Sequence, residues 1–277
     1  MTPLTSKHHR THPTPFRARS IGFWVLCIAA MPGCFAAQAE ESVNPTIPEG
    51  REMLREISRR FSALEQLSYQ ANLVSRLGRE NVTRTFQFSY QPPDRIRVEH
   101  IRPEERLLVL NGETLVEFIP AARTALKTDL GALSESSRQS ILRNTLSRSV
   151  VEGLRIGEVD GLLNRISSIS AVQESERTVW ILEGRDPFFR LRLEPERYLL
   201  LETELHDGDG PLLVTRASNF TEVLPGFWLP RRLQNRNRSP RGMVENVYTL
   251  EDIQVNQPFP DRYFHFTLPR GARWHTP

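Results

Sequence analysis

Four short runs between Val82 and Lys127 decide the fold: TRTFQFSY (83–90), RIRVEHI (95–101), RLLVL (106–110) and TLVEFI (114–119). In the first two runs, apolar and polar residues alternate with a period of two. This period is typical of antiparallel strands that bury one face. Turn-forming residues separate the runs, namely Pro92-Pro93-Asp94 and Asn111-Gly112. The stretch therefore predicts a β-meander with one apolar face.

The sequence on both sides of this meander predicts one helix and more strands. A helix is predicted over Glu49–Leu67, because apolar residues such as Leu54, Ile57 and Phe61 recur there at spacings of three and four. A first strand is predicted over Ser68–Leu77. Further strands are predicted over 177–182, 188–193, 198–206, 212–220, 227–232, 243–255 and 263–268.

The segment between the two groups of strands has a different composition. Leu133–Ser149 carries apolar residues at helical spacing, and Ser134 is a candidate N-cap. Val150–Ser170 is apolar and interrupted by glycines, which predicts short helices or a helix followed by a loop. An apolar, interrupted segment of this kind can cover a cavity and move.

These elements predict an α+β protein with a single domain over residues 40–277. The expected architecture is an unclosed antiparallel β-barrel. It would be a strongly curved sheet of about 10–12 strands, with helices covering its concave face.

Residues 1–39 have the organisation of a signal peptide. Four basic residues precede the apolar run Ile21–Ala30, which at about ten residues is too short to span a bilayer. Ala37-Gln38-Ala39 supplies a small-x-small cleavage pattern, so cleavage is expected before Glu40. An uncleaved N-terminal anchor is the alternative. Cleavage lowers the formal charge from +3, by these four charges, to −1, which removes any charge argument for nucleic-acid binding.

Cys34 allows a second interpretation of the leader. Met31-Pro32-Gly33-Cys34 loosely resembles a bacterial lipobox, in which the cysteine becomes lipidated after cleavage. The simpler interpretation is that Cys34 is discarded with the leader. In that case the mature chain has no cysteine, because Cys27 and Cys34 are the two cysteines of the sequence. We therefore predict export to the periplasm of a Gram-negative-type bacterium, with a membrane-anchored lipoprotein as the alternative.

We find no sequence motif for catalysis, phosphate binding or metal binding. The histidines outside the leader are His100, His206, His265 and His275, and no two of them have metal-ligand spacing. We therefore predict a protein that is not an enzyme and that needs no cofactor. The alternative is an enzyme whose carboxylates are brought together only by the fold.

The apolar face of the meander is the strongest functional signal. A dry concave face under a movable cover is a default site for hydrophobic ligands. The alternative is that the helices fill this face and form a rigid core. Strand phase selects the following ligand-binding residues, with the last two in the helical cover: Phe86, Phe88, Tyr90, Ile96, Val98, Leu110, Phe118, Leu142 and Leu146.

Three sequence stretches resemble the lipoprotein carrier LolA and its relatives. They are Pro93–Glu99, Leu108–Pro120 and Phe264–Gly271. The second is similar to the D-G-K-T-L-W-x-Y-x-P hairpin of the family, with Asn111-Gly112 at the D-G place and Val116 at the Trp place. The third is similar to the closing F-x-F-x-x-P-x-G strand. One departure is Pro92, which stands where LolA has a basic residue thought to latch the helical lid.

The resemblance implies a half-open barrel whose cavity holds lipid or lipoprotein acyl chains. The function predicted is that of a periplasmic, non-enzymatic carrier, with transient membrane contact, or with an anchored one if Cys34 is lipidated. Relatives of the RseB/MucB type imply an alternative, an envelope-stress sensor that binds a partner protein. LolB-like receptors carry a lipidated N-terminal cysteine, so Cys34 bears on this choice.

Overall fold

The computed structural model describes residues 47–138, 141, 162–186, 188–207, 210–239 and 242–275, with side chains from Glu49 onward. The predicted leader, Cys34 and most of the central segment lie outside these residues. The described chain begins with helix α1 (Ile47–Ser62). It continues with β1 (Leu67–Leu77), β2 (Glu80–Gln91), β3 (Arg95–Arg102), β4 (Arg106–Asn111), β5 (Thr114–Ile119), a 3-10 turn (Pro120–Ala122), β6 (Thr124–Asp129), β7 (Ile166–Glu174), β8 (Arg177–Gly184), β9 (Phe189–Glu194), β10 (Leu199–Asp207), β11 (Gly210–Leu224), β12 (Phe227–Ser239), β13 (Gly242–Val255) and β14 (Arg273–His275).

All fourteen strands form one mixed sheet with two free ends, in the order β14-β6-β5-β4-β3-β2-β1-β13-β12-β11-β10-β9-β8-β7. It consists of two meanders, β1–β6 and β7–β13, which meet where β1 pairs with β13. The prediction of a single unclosed sheet is confirmed. The predicted strand count was too low, and the sheet is not purely antiparallel, because β14 pairs with β6 in parallel.

Helix α1 forms where the apolar spacing predicted it, but it ends at Ser62 and not at Leu67. Leu67 instead begins β1 and pairs with both Val255 and Tyr90. The amide groups of Glu65 and Gln66 donate to Asn256 Oδ1, at 2.9 and 3.3 Å. The helix stops because the next residues have partners in the second half of the chain.

The sheet face that contacts α1, which we call the inner face, carries two apolar clusters. The α1 cluster consists of Met53, Leu54, Ile57, Leu163, Ile166, Leu182, Phe189, Leu191 and Leu193. The meander cluster consists of Leu64, Leu67, Tyr69, Ala71, Leu73, Phe86, Phe88, Ile96, Val98, Leu108, Leu110, Leu130, Phe227, Leu229, Leu233, Tyr248, Leu250 and Val255. Phe61 packs against both clusters and links them.

The C-terminal residues lie on the opposite, outer face, where they contact Ser89 on β2, Arg97 on β3 and Phe118 on β5. Phe266 lies between Phe118 and Trp274, with ring centroids 5.5 and 5.7 Å apart. The predicted strand over 263–268 is wrong, because this segment contains turns. The amide group of Tyr263 donates to the carbonyl of Pro260 at 3.0 Å, and the His265 amide likewise bonds three residues back along the chain. The last strand is β14, which begins ten residues after the start of the predicted one.

The central segment is described only at its two ends. The predicted N-cap is confirmed, because the Ser137 amide donates to Ser134 Oγ at 3.3 Å. The predicted helix or loop at the end of Val150–Ser170 is wrong over its last five residues, which belong to β7, where Ile166 pairs with Gly184. Helix α1 packs over the β7–β9 part of the inner face. That helices cover the rest of the concave face stays a prediction. No helix among the described residues is long and apolar enough to cross a membrane.

Candidate ligand-binding face

Five of the predicted ligand-binding residues lie together in the meander cluster, on three adjacent strands. They are Phe86, Phe88, Ile96, Val98 and Leu110. The ladder places Phe88 opposite Val98, and Ile96 opposite Leu110. The ring of Tyr69 on β1 stacks on Phe88 with centroids 4.9 Å apart. Period-two alternation therefore brought these side chains to one face, as predicted.

Tyr90 and Phe118 differ from these five residues. Tyr90 is half-buried and packs against the meander cluster. Phe118 points to the outer face, where it pairs with Ala125 and contacts Phe266. Leu115 takes the inner position on β5, opposite Leu110. The two-residue loop Gly112-Glu113 sets this phase, so the prediction that Phe118 lines the inner face is wrong.

Leu142 and Leu146, predicted to form the cover, lie outside the described residues. Their described neighbour Ile141 packs against the meander cluster, and Leu130 is buried within it. The chain on both sides of 131–140 therefore contacts this cluster. The role of Leu142 and Leu146 stays a prediction.

The meander cluster is covered and not open to solvent. Phe86, Phe88 and Leu110 are at most 1% exposed. Two clefts in the described part of the chain lie elsewhere. One of about 550 Å³ runs beside α1 and is lined by Glu52, Trp180 and other residues, and one of about 180 Å³ lies at Phe259–His265. An apolar ligand on the inner face would therefore have to displace a covering part of the chain.

A polar row crosses the inner face between the two clusters, and the sequence analysis missed it. One residue from each of five adjacent strands contributes to this row, through the ladder positions Thr203, Thr215, Asn235, Asn246 and Ser75. Ser75 Oγ donates to Asn246 Oδ1 at 2.6 Å. Asparagine is disfavoured in strands. Its presence two residues after the inward-facing Leu233 was the signal that could have revealed the row.

Two carboxamide oxygens at this row lack hydrogen-bond partners among the described residues. Asn235 Oδ1 and Asn237 Oδ1 are both shielded from solvent. Asn237 lies on the same face as Asn235, one inward position further along β12, opposite Leu213 and Val244. A buried acceptor without a donor costs about 1–3 kcal/mol. The row is therefore unlike the fully apolar surface around it.

Solved structures of other proteins have the same architecture. A DUF1329 family protein from Desulfovibrio piger has a TM-score of 0.53 at 14% identity, over 79% of this chain and 96% of that one. A domain assigned to outer membrane lipoprotein sorting, from Vibrio parahaemolyticus, has a TM-score of 0.51 at 13% identity, over 79% and 97% of the two chains. This chain has a LolA-like fold. A LolA superfamily protein from Nitrosomonas europaea gives 0.49 at 13% identity, over 76% and 96%.

The resemblance inferred from sequence is therefore confirmed at the level of the fold. No protein-family model matches the sequence, and no curated protein matches it either. At 13–14% identity the likeness extends to the architecture alone. The motifs that suggested it lie on β3, the β4–β5 hairpin and the C-terminal segment of the LolA-like sheet.

The outer face of the second meander of this LolA-like sheet is covered by ion pairs. Buried Glu202 accepts from Arg216 at 2.5 Å and lies 3.8 Å from Arg192, which also pairs with Glu174. His206 Nε2 lies 2.6 Å from Glu204 Oε1. Acidic and basic side chains alternate from strand to strand, so these ion pairs join neighbouring strands on the outer face. Among the described residues, no group of three or more His, Cys, Asp or Glu side chains is arranged to hold a metal ion.

Helix α1 has its own ion pairs, which are centred on Glu56. Glu56 bonds to both Arg59 and Arg60, each at 2.7 Å, and these hydrogen bonds lower the pKa of Glu56 from 4.5 to about 2. Arg60 also donates to the carbonyl of Gly226 at 2.5 Å and lies over the Tyr198 ring. The Glu56 pairs thus hold the residue that joins α1 to the β9–β10 and β11–β12 turns.

Proposed function

We propose that this protein is a non-enzymatic binder of lipid or lipoprotein acyl chains, acting as a carrier in the periplasm. The observation that carries the proposal is the meander cluster. It places Phe86, Phe88, Ile96, Val98 and Leu110 on one contiguous inward face of three paired strands. Such a face offers apolar surface for a ligand that has few polar groups.

The LolA-like fold and the polar outer face support this proposal. One solved protein with this fold is assigned to outer membrane lipoprotein sorting. The outer face of the second meander is charged, so the molecule concentrates its ligand-sized apolar surface on the inner side. Each methylene group moved from water onto that surface contributes about 0.8 kcal/mol. An acyl chain can therefore bind well with few polar contacts.

In this mechanism, the ligand takes the place of a covering part of the chain. Leu130 and Ile141 contact the meander cluster, and the chain between and after them is the predicted helical cover, including Leu142 and Leu146. Displacing that cover exposes the cluster, and the acyl chain replaces the lost apolar contacts. The net binding free energy is thus smaller than the full transfer free energy of the chain.

A titration with the fluorescent polyene cis-parinaric acid tests the proposal. We expect saturable fluorescence enhancement by the mature protein, and competition by palmitic acid. Two matched variants locate the site. Val98→Thr adds a hydroxyl group on the inner face, whereas Val109→Thr makes the same change on the outer face, and both residues are buried. Val98→Thr should weaken binding several-fold, and Val109→Thr should leave it unchanged.

Two results would contradict the proposal. One is the absence of saturable binding together with lipid-free native mass spectra of protein taken from the cell envelope. The other is equal weakening by Val98→Thr and Val109→Thr, since that would indicate a general loss of stability. Urea denaturation of both variants provides the comparison, because each hydroxyl group is buried and each variant should lose similar stability.

The covered state of the meander cluster favours a second candidate, an envelope sensor that binds a partner protein. Phe86 and Phe88 are at most 1% exposed, as expected of a filled structural core. A sensor of this kind predicts a stable complex with an envelope protein and no bound lipid. Affinity purification from envelope extracts, followed by mass spectrometry of both proteins and lipids, separates the two candidates.

A further inference from the structure

The polar row on the inner face indicates what kind of lipid the face takes. The row lies at one inner-face end of the meander cluster, where Asn235 follows Leu233 and Ser75 follows Leu73. From Ser75 to Leu67, β1 extends roughly 26 Å at about 3.3 Å per residue. A ligand lying along this strand would have its apolar part on the cluster and one end at the row.

The buried polar atoms without a partner at the row are both acceptors. Asn235 Oδ1 and Asn237 Oδ1 are shielded from solvent and have no donor among the described residues. The neighbouring Asn246 Oδ1 already accepts from Ser75 Oγ. A carboxamide oxygen accepts hydrogen bonds and cannot donate them. An ionised carboxylate has no donor for these two oxygens, whereas a hydroxyl or amide N–H group supplies what they lack.

We propose that Asn235 and Asn237 form a subsite for the polar group of a lipid that donates hydrogen bonds, such as a monoacylglycerol or an N-acyl amide. This inference rests on the proposed lipid-binding function and deepens it. Acyl chains with a hydroxyl or amide donor near one end are selected over chains that end in a carboxylate or a bare ester. The meander cluster supplies affinity for the chain, and the two asparagines select the polar end.

Strand neighbours explain why this subsite is specific to the polar end. Leu213 and Val244 flank Asn237 across the ladder, and the Leu233 position next to Asn235 is apolar. A polar group at Asn237 therefore has apolar side chains on both sides of the ladder, whereas Asn235 has Thr215 and Asn246 as its ladder partners. In such a site a ligand without a donor binds less tightly, because the buried acceptor then stays unpaired.

The test compares two probes with the same acyl chain. Monopalmitoylglycerol carries two hydroxyl donors, and methyl palmitate has an ester but no donor. We expect the mature wild-type protein to bind monopalmitoylglycerol about tenfold more tightly, as one net hydrogen bond to a buried acceptor would give. Displacement of cis-parinaric acid measures both affinities in the same buffer.

The variants Asn235→Leu and Asn237→Leu, singly and together, should abolish this preference while binding methyl palmitate at least as tightly as wild type. Asn72→Leu is the matched control, because Asn72 is a carboxamide on the outer face of β1, where its Oδ1 accepts from Thr85. This control should keep the tenfold preference. If a double variant does not fold, the single variants and the wild-type comparison decide.

The possible outcomes separate the two proposals. Equal wild-type affinity for both probes, or a preference that survives in Asn235→Leu/Asn237→Leu, overturns the subsite and leaves lipid binding intact. Failure of wild-type protein to bind either probe overturns the subsite together with the proposed function. A tenfold preference that the inner-face variants lose and Asn72→Leu keeps supports both.

Discussion

The two halves of the inner face use the same kinds of side chain but are covered in different ways. Over β7–β9, helix α1 inserts Leu54 and Ile57, and the absence of a side chain at Gly50 lets the helix lie against Ile169. Over β1–β4, covering residues come from the chain around Leu64, Leu130 and Ile141. A continuous helix built into its own cluster is a permanent core. A cover assembled from connecting segments is easier to displace. The meander cluster is therefore the better ligand site.

The sharpest test of this contrast is a pair of phenylalanines, one in each half. Phe88 and Phe189 are both fully buried. Phe88→Ala and Phe189→Ala should each lower the free energy of unfolding by about 3–5 kcal/mol, because each leaves a cavity. Urea denaturation with and without palmitic acid or monopalmitoylglycerol separates them. The increase in the free energy of unfolding that the ligand causes should differ from the wild-type value in Phe88→Ala. In Phe189→Ala it should equal the wild-type value.

Two outcomes of this comparison would contradict the assignment of the ligand site to the meander cluster. If ligand stabilises Phe189→Ala abnormally and Phe88→Ala normally, the ligand lies under α1, and the assignment of the two halves is reversed. Equal behaviour of the two variants would mean that the inner face acts as one core.

A smaller effect is expected at the contact between α1 and β7. A Cβ atom at Gly50 would lie 2.3 Å from Ile169 Cδ1, the end of a flexible side chain. Gly50→Ala should therefore destabilise the protein by about 1 kcal/mol or somewhat more through overpacking. Adding Ile169→Val removes the atom that clashes and should recover part of the loss. Thermal unfolding of the single and double variants measures this coupling.

Lipid affinity is the control for this prediction. Gly50→Ala disturbs the part of the inner face that lies under α1. The affinity of this variant for cis-parinaric acid should therefore equal that of wild type under conditions where both proteins are folded. A marked loss of affinity would show that the position of α1 also affects ligand binding at the meander cluster.

The smallest effect is a pH dependence in α1. The pKa of Glu56 is lowered from 4.5 to about 2 by its hydrogen bonds to Arg59 and Arg60. A lowered folded-state pKa stabilises the protein above pH 4.5, and this contribution is lost as the pH falls towards 2. Since these pairs are on the surface, Glu56→Gln should cost under about 1 kcal/mol at pH 7. The difference from wild type should disappear near pH 2 in thermal melts.

Glu52→Gln is the matched control for Glu56→Gln. Glu52 pairs with Arg55 one turn earlier on the same helix, and both side chains are more than half exposed. Its substitution should have a smaller effect at pH 7. An undiminished difference between Glu56→Gln and wild type in strong acid would show that the Gln substitution acts through packing.

Sequence periodicity predicted the strands of both meanders well, because alternation of apolar and polar residues directly reflects which face is buried. It failed where backbone partners come from distant parts of the chain. Leu67 belongs to β1 because Val255 pairs with it, and Phe264 lies in a turn although Phe264, Phe266 and Leu268 alternate. Parallel pairing of β14 with β6 likewise has no local signal.

Prediction of the side chains on the inner face was correct for β2 and β3, whose apolar and polar residues alternate, and wrong for Phe118 on β5, where they do not. Phe86, Phe88, Ile96 and Val98 share the inner face, whereas in TLVEFI the phase was set by the hairpin loop and Phe118 was assigned to the wrong side. The polar row was missed because its members are far apart in the sequence. It becomes visible only when β10, β11, β12, β13 and β1 are aligned.

The pairing of β1 with β13 also constrains when the protein can fold. Gln70 and Glu251, on these two strands, are 181 positions apart in the sequence. Closing a loop of this length is unfavourable until the paired strands pack, so sheets with such distant contacts fold slowly. The first meander therefore lacks one neighbour of β1 until nearly the whole chain has been synthesised. A chain that completes its sheet this late stays incompletely folded until β13, its last long strand, has been made.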